Sequence, residues 1–409
     1  MIDAVTVSPS DVMLGEMEIH GAVADTARYL MNNYGAPKAG FVSGRGATLI
    51  DESGREVLDF LGGIAVCSLG HCPPSVSDAI AAQAHKLIHT SNYFANLEAP
   101  KVAYLIDRLV APSPGEEGRV FFANSGAEVN EAAIKLARRY AGPERTRVVG
   151  LKDGFHGRTM GALSATGQEG KKTAFQPLVP GFSHVEAGDT EALEAELAKG
   201  GVAAVIMEPI LGEAGVIEVP AAFIASVREL CDQFGALLIL DEVQTGFGRT
   251  GKWFAFQHFG VKPDVVTMAK AIASGFPVGA LWARAEVAKA FLPGDHGTTF
   301  GGQPLAMAAA LATITTMIDI DAPALAAERG ASLARGLAST PGIASVSGKG
   351  LLLGATLKSA AAPEVAKRSL ELGLIVNAIG TSVLRFAPPL VVTEFEIDRA
   401  LEILKVAIS

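Results

Sequence analysis

The sequence has few cysteines, no block of like charges and no long hydrophobic run. Its three cysteines are Cys67, Cys72 and Cys231. An odd number without C-x-x-C spacing argues against a disulfide framework or a metal staple and favours reduced thiols in the cytoplasm. No apolar run approaches the ~20 residues of a membrane-spanning helix. The N-terminus carries early acids and no basic segment before an apolar core, so we expect neither a secretory nor a mitochondrial signal.

The composition is that of a globular protein with a large core. Hydrophobic residues make up 49% and charged residues 19% of the 409 residues, and the formal net charge is -9. Without a basic cluster there is no electrostatic footprint for nucleic acid or an anionic membrane. We therefore expect small molecules, or copies of the same chain, as partners, and a chain of this length favours two domains.

Most of the chain repeats one pattern. An N-terminal extension of no assigned function precedes a short helix within ADTARYLMNNYGAP, and ATLIDESGREVLDF then predicts a β-hairpin around residues 51–54. From there to about residue 305, short apolar runs rich in β-branched residues alternate with helical patterns. This alternation predicts an α/β fold with a mainly parallel sheet covered on both faces. The last hundred residues favour a second, smaller α/β domain.

Polar or glycine residues follow the carboxyl ends of five apolar runs. They are residues 124–127 after RVFFA, residues 152–158 after RVVGL, Glu208 after VAAVIM, Asp241 after ALLIL and Lys270 after DVVTMA. Ligands of open α/β sheets bind outside the carboxyl ends of the strands. We therefore expect these groups to converge on one crevice.

Asp241 and Lys270 suggest the chemistry of that crevice. A carboxylate at the end of a buried strand needs a cation, donors or a ligand, and a structural ion pair would satisfy Asp241 as well as a protonated pyridine nitrogen would. Lys270 either extends its ammonium to water or stays in an apolar site that lowers its pKa and makes it nucleophilic. A lysine and an aspartate at neighbouring strand ends fit pyridoxal 5'-phosphate, which needs both.

Other motifs compete with this interpretation. Ser125 and Glu128 form a capping-box pattern, and the amides of that helix start also suit a phosphate. The segment Gly246 to Lys252 matches G-x-x-x-x-G-K, but Trp253 stands where a nucleotide-binding P-loop needs Ser or Thr. His85 and His89 have zinc spacing in a predicted helix but lack the Glu of H-E-x-x-H, so we expect no metal.

Taken together, the motifs resemble the class III (ω-amino) aminotransferases, which are fold-type I pyridoxal-phosphate enzymes. The resemblance runs from about Asn33 almost to the C-terminus, and within the family it is strongest to the acetylornithine aminotransferase branch. The matching segments are GGIAVCSLGH, FFANSGAEVNEAAIKLAR, FHGRTMGALSATGQ, MEPILGEAGV, LLILDEVQTGFGRTGKWFA, PDVVTMAKAI, HGTTFGGQPLA and LRFAPPLVV.

The resemblance implies a division of the chain and an activity. Residues 74–305 would form the large cofactor-binding domain, and residues 1–73, with the extension 1–28, would join residues 306–409 in the small domain. The expected reaction transfers an amino group between an ω-amine, N2-acetylornithine in the branch most resembled, and 2-oxoglutarate. Ornithine, succinylornithine, succinyldiaminopimelate, acetyllysine and 4-aminobutyrate remain alternative amines.

The resemblance also implies roles for the cofactor site. Lys270 would form the Schiff base with the cofactor and move the proton, and Asp241 would pair with the pyridinium nitrogen. Gln244 would contact the ring hydroxyl, and Phe155 would stack on the ring. The phosphate would be held by a set of residues that includes one from the partner subunit of a homodimer: Ser125, Gly126, Ala127 and the partner's Thr299.

The implied substrate site contains an arginine switch. Arg158 would bind the distal carboxylate of either substrate, and Tyr34 would help line that pocket. Arg385 would pair with Glu213 when the amine is terminal and would bind the α-carboxylate of glutamate otherwise. The alternative is a permanent salt bridge. The chain departs from the usual family pattern at four positions that carry no assigned step: Cys67, Pro73, Val129 and Gln303.

Overall fold

The structure is a computed structural model that describes residues 20–359 and 361–409. Most of the predicted N-terminal extension, residues 1–19, lies outside the described residues. The short helix expected within ADTARYLMNNYGAP is present as Ala22–Tyr29, so it begins inside the predicted extension 1–28. The predicted hairpin around residues 51–54 is also confirmed, because the two strands that flank it pair antiparallel.

The strands of the described chain are short and most are buried. In chain order they are β1 Phe41–Arg45, β2 Thr48–Asp51, β3 Glu56–Asp59, β4 Gly118–Ala123, β5 Arg147–Leu151, β6 Phe182–Val185, β7 Val202–Met207, β8 Ile210–Leu211, β9 Ile217–Glu218, β10 Leu237–Asp241, β11 Val265–Met268, β12 Gly279–Arg284, β13 Ile343–Lys349, β14 Leu352–Leu357, β15 Leu374–Ile375, β16 Asn377–Ile379 and β17 Val383–Phe386.

The helices alternate with these strands through the middle of the chain. They are α1 Ala22–Tyr29, α2 Gly62–Ala65, α3 Pro74–Ala84, α4 Glu98–Val110, α5 Gly126–Ala141, α6 Met160–Ala165, α7 Thr190–Ala198, α8 Ala221–Phe234, α9 Ala285–Ala288, α10 Pro304–Asp319, α11 Ala322–Ser339, α12 Ala362–Glu371 and α13 Glu394–Ile408.

The central sheet has seven strands in the order β4-β12-β11-β10-β7-β5-β6. β12 pairs antiparallel with both of its neighbours, whereas the pairs among β11, β10, β7, β5 and β6 are parallel. Both faces are buried, because Leu238 and Leu240 belong to one apolar cluster while Leu237 and Ile239 belong to another. The α/β fold with a mainly parallel central sheet is therefore confirmed.

Smaller sheets come from both ends of the chain. Strands β1, β2 and β3 form a sheet with β15, and β13, β14, β17 and β16 form another. The pairing of β3 with β15 is parallel and joins residues far apart in the sequence. Helix α10 packs against α3 and α4, so the boundaries predicted at residues 73 and 305 stay a prediction.

Two further expectations concern helices. His85 and His89 do not share one, because α3 ends at Ala84 and His85 is its C-cap; the helix expected to hold both is wrong. Among the described residues no single helix is long and apolar enough to cross a membrane, and only α10 with α11, bent by 67° between them, reaches that length and composition together.

Candidate active site

A cavity of about 380 Å³ lies at the carboxyl ends of the central strands. It is lined by residues that precede or follow β4, β5, β7, β10 and β11, as expected from their positions in the sequence. Nine residues predicted for the site line it: Ser125, Gly126, Ala127, Phe155, Arg158, Glu213, Asp241, Gln244 and Lys270.

The Asp241 carboxylate is buried and held by three donors. Its Oδ2 accepts a hydrogen bond from Asn130 Nδ2 at 2.7 Å and lies 2.7 Å from His156 Nδ1. Its Oδ1 accepts from the amide of Val243 at 3.0 Å. Because Asp241 is 2% exposed, these bonds offset much of the cost of burying the charge. They fix the carboxylate at the floor of the cavity.

Asn130 links Asp241 to two other strand ends. Its Nδ2 also donates to the carbonyl of His156 at 2.7 Å, and its Oδ1 accepts from Thr267 Oγ1 at 2.7 Å. The side chain is 1% exposed. Every polar atom of the amide is therefore used, so the network has one arrangement.

His156 is the second buried partner of Asp241. Burial alone would lower the pKa of this imidazole, but the hydrogen bond and charge of Asp241 outweigh burial and raise it. Its Nε2 has no hydrogen-bond partner among the described residues. A raised pKa favours the imidazolium, which places a positive charge next to the Asp241 carboxylate.

Lys270 lines the same cavity at the start of a short 3-10 helix, Lys270–Ala273, that follows β11. Burial is the main influence on the ammonium and lowers its pKa, as expected for an amine held in an apolar site. The backbone φ of Lys270 is 47°, a left-handed conformation that costs about 1–3 kcal/mol in residues other than glycine. Strain of this kind concentrates at functional sites.

The start of α5 presents free amides to the cavity. Ser125 is the N-cap, and its Oγ accepts from the amide of Glu128 at 3.2 Å. The Glu128 carboxylate reaches back to the amide of Asn124 at 2.8 Å. A Cβ at Gly126 would lie 2.8 Å from Val243, so only glycine fits there. Ser125 is confirmed as the N-cap, but the Glu128 carboxylate bonds the amide of Asn124 and not that of Ser125, so the capping box is not complete. The first amides of the helix are left for an anion.

Glu208 positions the segment that carries Phe155. It follows β7, is 5% exposed, and accepts from the amide of Phe155 at 2.8 Å. Burial, with a further contribution from Asp241, raises the pKa of Glu208 to about 7. The Glu208 carboxyl therefore changes its charge near neutral pH, at the wall of the cavity.

Glu242, the acid that follows Asp241 in the sequence, stabilises a loop and does not line the cavity. Glu242 accepts from the amides of Ala255 and Phe256 at 3.0 and 2.8 Å and from the Thr245 hydroxyl. It thereby closes the glycine-rich loop that follows β10. Lys252 of that loop is exposed, and the loop leads into a 3-10 helix at Ala255–His258. A P-loop continues directly into an α-helix, whereas this loop continues into a four-residue 3-10 helix; the P-loop alternative is therefore not supported.

Glu213 and Arg385 form an ion pair beside the cavity. Arg385 Nη1 lies 2.5 Å from Glu213 Oε1 and 3.4 Å from Gln244 Oε1, and Nη2 donates to Asn377 Oδ1 at 2.8 Å. Burial opposes ionisation of Glu213, but the charge and hydrogen bond of Arg385 outweigh burial and lower its pKa. Arg385 is 2% exposed, and its Nε has no hydrogen-bond partner among the described residues.

Gln244 reaches the cavity because a glycine stands opposite it. A Cβ at Gly212 would lie 2.0 Å from Gln244 Oε1. Gln244 is 6% exposed and lines the cavity three residues after Asp241. The sequence predicted this proximity. Its contact with a ring hydroxyl stays a prediction.

Two predicted residues lie away from the cavity in the single chain. Tyr34 is 95% exposed. Thr299 lines a second hollow of about 850 Å³ on the protein surface, together with Tyr93 and Phe94. Their predicted roles, one in lining the pocket and one across a subunit interface, stay predictions.

Sequence reasoning assigned no role to Asn130, His156 or Glu208. Asn130 had a signal, because it lies on the same α5 face as Ala133, Ile134 and Ala137, all of which are buried. A lone amide within such a stripe must find a polar partner. The hydrogen bonds of His156 and Glu208 join separate strands, which no local pattern encodes. Among the described residues no group of three or more His, Cys, Asp or Glu is placed to hold a metal.

The comparisons with known proteins agree with this geometry. The family profile Aminotransferase class-III matches residues 30–408. Acetylornithine aminotransferase of Bifidobacterium longum is 48% identical over 401 residues, covering 92% of each chain. The corresponding protein of Caldanaerobacter subterraneus is 44% identical over 390 residues, covering 93% of this chain and 98% of the relative.

Solved structures show the same fold. Ornithine aminotransferase from Toxoplasma gondii has a TM-score of 0.88 at 34% identity, with 94% of this chain and 93% of that chain covered. N-acetylornithine aminotransferase from Stenotrophomonas maltophilia has a TM-score of 0.81 at 34% identity, with 95% and 98% covered. The chain belongs to the class III aminotransferase family.

Proposed function

We propose that the protein is a pyridoxal-phosphate-dependent acetylornithine aminotransferase. It transfers the ω-amino group of N2-acetyl-L-ornithine to 2-oxoglutarate, giving N-acetyl-L-glutamate 5-semialdehyde and L-glutamate, a step of arginine biosynthesis. The observation that carries the proposal is the placement of Lys270 and Asp241 at neighbouring strand ends, facing one cavity. The acetylornithine aminotransferases at 44% and 48% identity support the choice of amine.

The residues of the cavity fit pyridoxal 5'-phosphate. A helix start with free amides suits its phosphate, and the buried carboxylate of Asp241, paired with His156, suits its protonated ring nitrogen. When bound, the cofactor supplies a reactive carbonyl carbon and an electron sink for the amino carbon of the substrate. Lys270, whose pKa burial lowers, provides the amine that anchors the cofactor.

The chain's own groups then position and move protons. Ser125, Gly126 and Ala127 hold the phosphate end of the cavity, and Phe155 and Gln244 fix the ring plane. The Lys270 amine would accept the proton from the amine-bearing carbon of the substrate and deliver it, in a 1,3 transfer, to the carbonyl-derived carbon of the cofactor. Burial lowers the pKa of this amine, which favours the unprotonated form that a general base needs.

The two substrates pose opposite demands on the substrate end. An ω-amine brings no carboxylate to the reacting carbon, whereas glutamate brings one. The Glu213–Arg385 pair can serve both, because Glu213 neutralises Arg385 with the first substrate and yields to the α-carboxylate of the second. Arg158 lines the cavity beyond this pair and binds the distal carboxylate in both cases.

A homodimer completes the site in this proposal. The surface around the second hollow exposes large apolar side chains, with Tyr93 95%, Phe94 72% and Phe300 66% exposed. A contiguous apolar surface of this kind is typical of a subunit interface. Thr299 lies within it and reaches the phosphate of the partner's cofactor. Gln303 is buried next to this surface. It accepts from the amide of Thr90 at 2.9 Å and thereby joins the segment before α10 to the segment around Thr90.

The cytoplasm is the proposed location. The cysteines of the described chain are unpaired, and Cys231 is buried. Burial raises the pKa of the Cys231 thiol to about 12, so this thiol is inert. Unpaired cysteines in a large enzyme are typical of a reducing compartment.

The visible absorbance of the purified protein tests the proposal. We expect a coloured protein whose band bleaches fastest with N2-acetylornithine and returns with 2-oxoglutarate, compared with ornithine, 4-aminobutyrate and the other ω-amines under the same conditions. A response to another amine alone would keep the aminotransferase and change the substrate. A colourless protein that cannot be reconstituted with pyridoxal 5'-phosphate would refute the role of Lys270.

A further inference from the structure

Two cations, Lys171 and Arg158, lie near the same aromatic ring, that of Phe155, and Phe155 and Arg158 line the cavity. Lys171 ends the 3-10 helix Glu169–Lys171, between α6 and β6. Its Nζ lies 5.1 Å from the centroid of the Phe155 ring, and Arg158 Cζ lies 5.6 Å from the same centroid. The nearby acid Glu169 pairs instead with Lys172, at 2.6 Å. Within residues 20–359 and 361–409 neither Lys171 nor Arg158 forms an ion pair.

Lys171 is held in this position. Its Nζ donates to Gln168 Oε1, and the Phe155 ring offers a favourable face for a cation. Burial is the main influence and lowers the pKa of Lys171; Glu213 opposes this effect, and the charge of Arg158 adds to it. Two like charges kept together cost free energy. Such an arrangement is typical of a surface that selects ligands by charge.

The positive charge of Lys171 would act on the α-nitrogen of the amino donor, next to the carboxylate of the substrate. In the proposed function, on which this inference rests, Arg158 binds the α-carboxylate of the amino donor. The α-nitrogen is attached to the same carbon as that carboxylate, so in this pose it lies near Arg158 and within the electrostatic reach of Lys171, whose charge also interacts with Arg158. In ornithine this nitrogen is an ammonium group. In an N-acylated donor it is a neutral amide.

We propose that Lys171 is a specificity-determining residue that favours amino donors with an acylated α-nitrogen over free α,ω-diamino acids. The attraction of both cations for the carboxylate is common to the two donors and cancels in their comparison. The repulsion between Lys171 and an α-ammonium group remains. For two unit charges about 7 Å apart at an effective dielectric constant of about 40, it amounts to a factor of about five to ten.

The test compares kcat/KM for N2-acetylornithine with kcat/KM for ornithine, measured in the holoenzyme from the visible absorbance of the bound cofactor. Lys171→Met removes the charge and keeps an unbranched side chain, and Lys171→Gln does the same if the methionine variant does not fold. Lys171→Arg keeps the charge. Lys152→Met is the matched control, because Lys152 is exposed and pairs with Glu186 at 2.8 Å on the surface.

We expect the acetylornithine-to-ornithine ratio to fall about five- to tenfold in Lys171→Met, mainly because ornithine becomes a better donor. The ratio should stay within about twofold of the parent in Lys171→Arg and in Lys152→Met. Raising the salt concentration should lower the ratio of the parent protein but not that of Lys171→Met, because salt screens the charge of Lys171. A merely structural role would not give this salt dependence.

Other results would overturn the inference. An unchanged ratio in Lys171→Met, or an equal loss for both donors, would show that the charge does not discriminate between them. A parent protein that prefers ornithine would refute Lys171 selectivity while leaving transamination intact. A parent protein inactive with every ω-amine would refute the proposed function itself, and with it this inference. The unfolding midpoint and cofactor absorbance of each variant establish that it is folded and loaded.

Discussion

The two ends of the cavity are built differently. The end of the cavity proposed for the cofactor comes from strand ends of one sheet, where Asn130, His156 and Asp241 are buried and hydrogen-bonded to one another. Glu208 and Lys270 line the cavity beside them. The substrate end comes from loops and from β17 of another sheet, and it holds one ion pair and two unpaired cations: Glu213, Arg385, Arg158 and Lys171.

The difference teaches how one site serves two substrates. A buried amide whose donors and acceptor are all used, such as that of Asn130, has no low-energy alternative. It suits a ring that must stay in one orientation through both half-reactions. A single ion pair can exchange one carboxylate for another, so Glu213 and Arg385 suit a pocket that receives two amines in turn.

The largest effect should come from the cofactor end. Lys270→Ala removes the anchoring amine and the general base, so we expect transamination to fall by at least about 10⁴-fold. Cofactor binding should persist without a covalent bond, because the α5 amides and Asp241 do not depend on Lys270. Single-turnover absorbance measures the first effect, and equilibrium dialysis of pyridoxal 5'-phosphate measures the second.

Lys252→Ala is the matched control for Lys270→Ala. Lys252 is exposed on the glycine-rich loop, so we expect activity within about twofold of the parent. Undiminished turnover of Lys270→Ala without any added amine would contradict the role of Lys270. Loss of activity in the control would instead point to the loop.

A smaller and selective effect should come from the substrate end. Glu213→Ala leaves Arg385 buried without its acidic partner, which favours a substrate that supplies a carboxylate. We expect the ratio of the glutamate half-reaction to the ω-amine half-reaction to rise at least about tenfold. Single-turnover rates with each amine separately provide the measurement.

Glu218→Ala controls for the loss of a nearby acid. Glu218 lies on β9 and pairs with Lys349 at 2.8 Å, away from the cavity lining. Its removal should leave the ratio of half-reactions unchanged. Equal losses in both half-reactions of Glu213→Ala would indicate a permanent structural salt bridge.

The smallest effect on activity should come from Glu242, the neighbour of Asp241. Burial raises the pKa of its carboxyl from 4.5 to about 7 in the folded protein. Its stabilising contribution is thus complete below about pH 4.5 and is lost as the pH rises through about 7. Glu242→Gln cannot titrate, so the difference in unfolding free energy, parent minus variant, should fall by up to about 3 kcal/mol across that range.

Urea unfolding at stepped pH measures this difference. Glu229→Gln, on the exposed face of α8, should parallel the parent protein at every pH. A difference for Glu242→Gln that stays constant or rises with pH would contradict the buried, proton-binding carboxyl. Activity of Glu242→Gln should change less than about threefold, because Glu242 fixes the loop and does not line the cavity.

Several site residues were accessible from the sequence because their positions follow from the regular alternation of strand and helix. Asp241 and Lys270 directly follow buried runs, and parallel strands end at one edge of a sheet. The start of α5 at Gly126 follows from the Ser125 cap and the apolar spacing of the helix. Local patterns of this kind determine which strand or helix forms and at which residues it begins and ends.

Other features needed the folded chain. The sequence pattern predicted one helix for both His85 and His89, but α3 ends at Ala84. No sequence pattern predicted a role for Lys171, because the proposed role depends on its position near the Phe155 ring and Arg158. Both of these residues belong to the segment after β5. Contacts between distant segments depend on the tertiary path of the chain, which local propensity does not encode.

The sequence by itself determined the α/β architecture, the strand-end address of Asp241 and Lys270 and the family resemblance, because periodicity and motif order are local properties. Only the tertiary structure decided which buried polar groups form hydrogen bonds with one another. It gave adjacent acids opposite tasks, with Asp241 held at the cavity floor by His156 and Glu242 turned back to close its own loop. The reason is physical: a buried charge is stable only where the fold brings donors to it, and those donors come from distant parts of the chain.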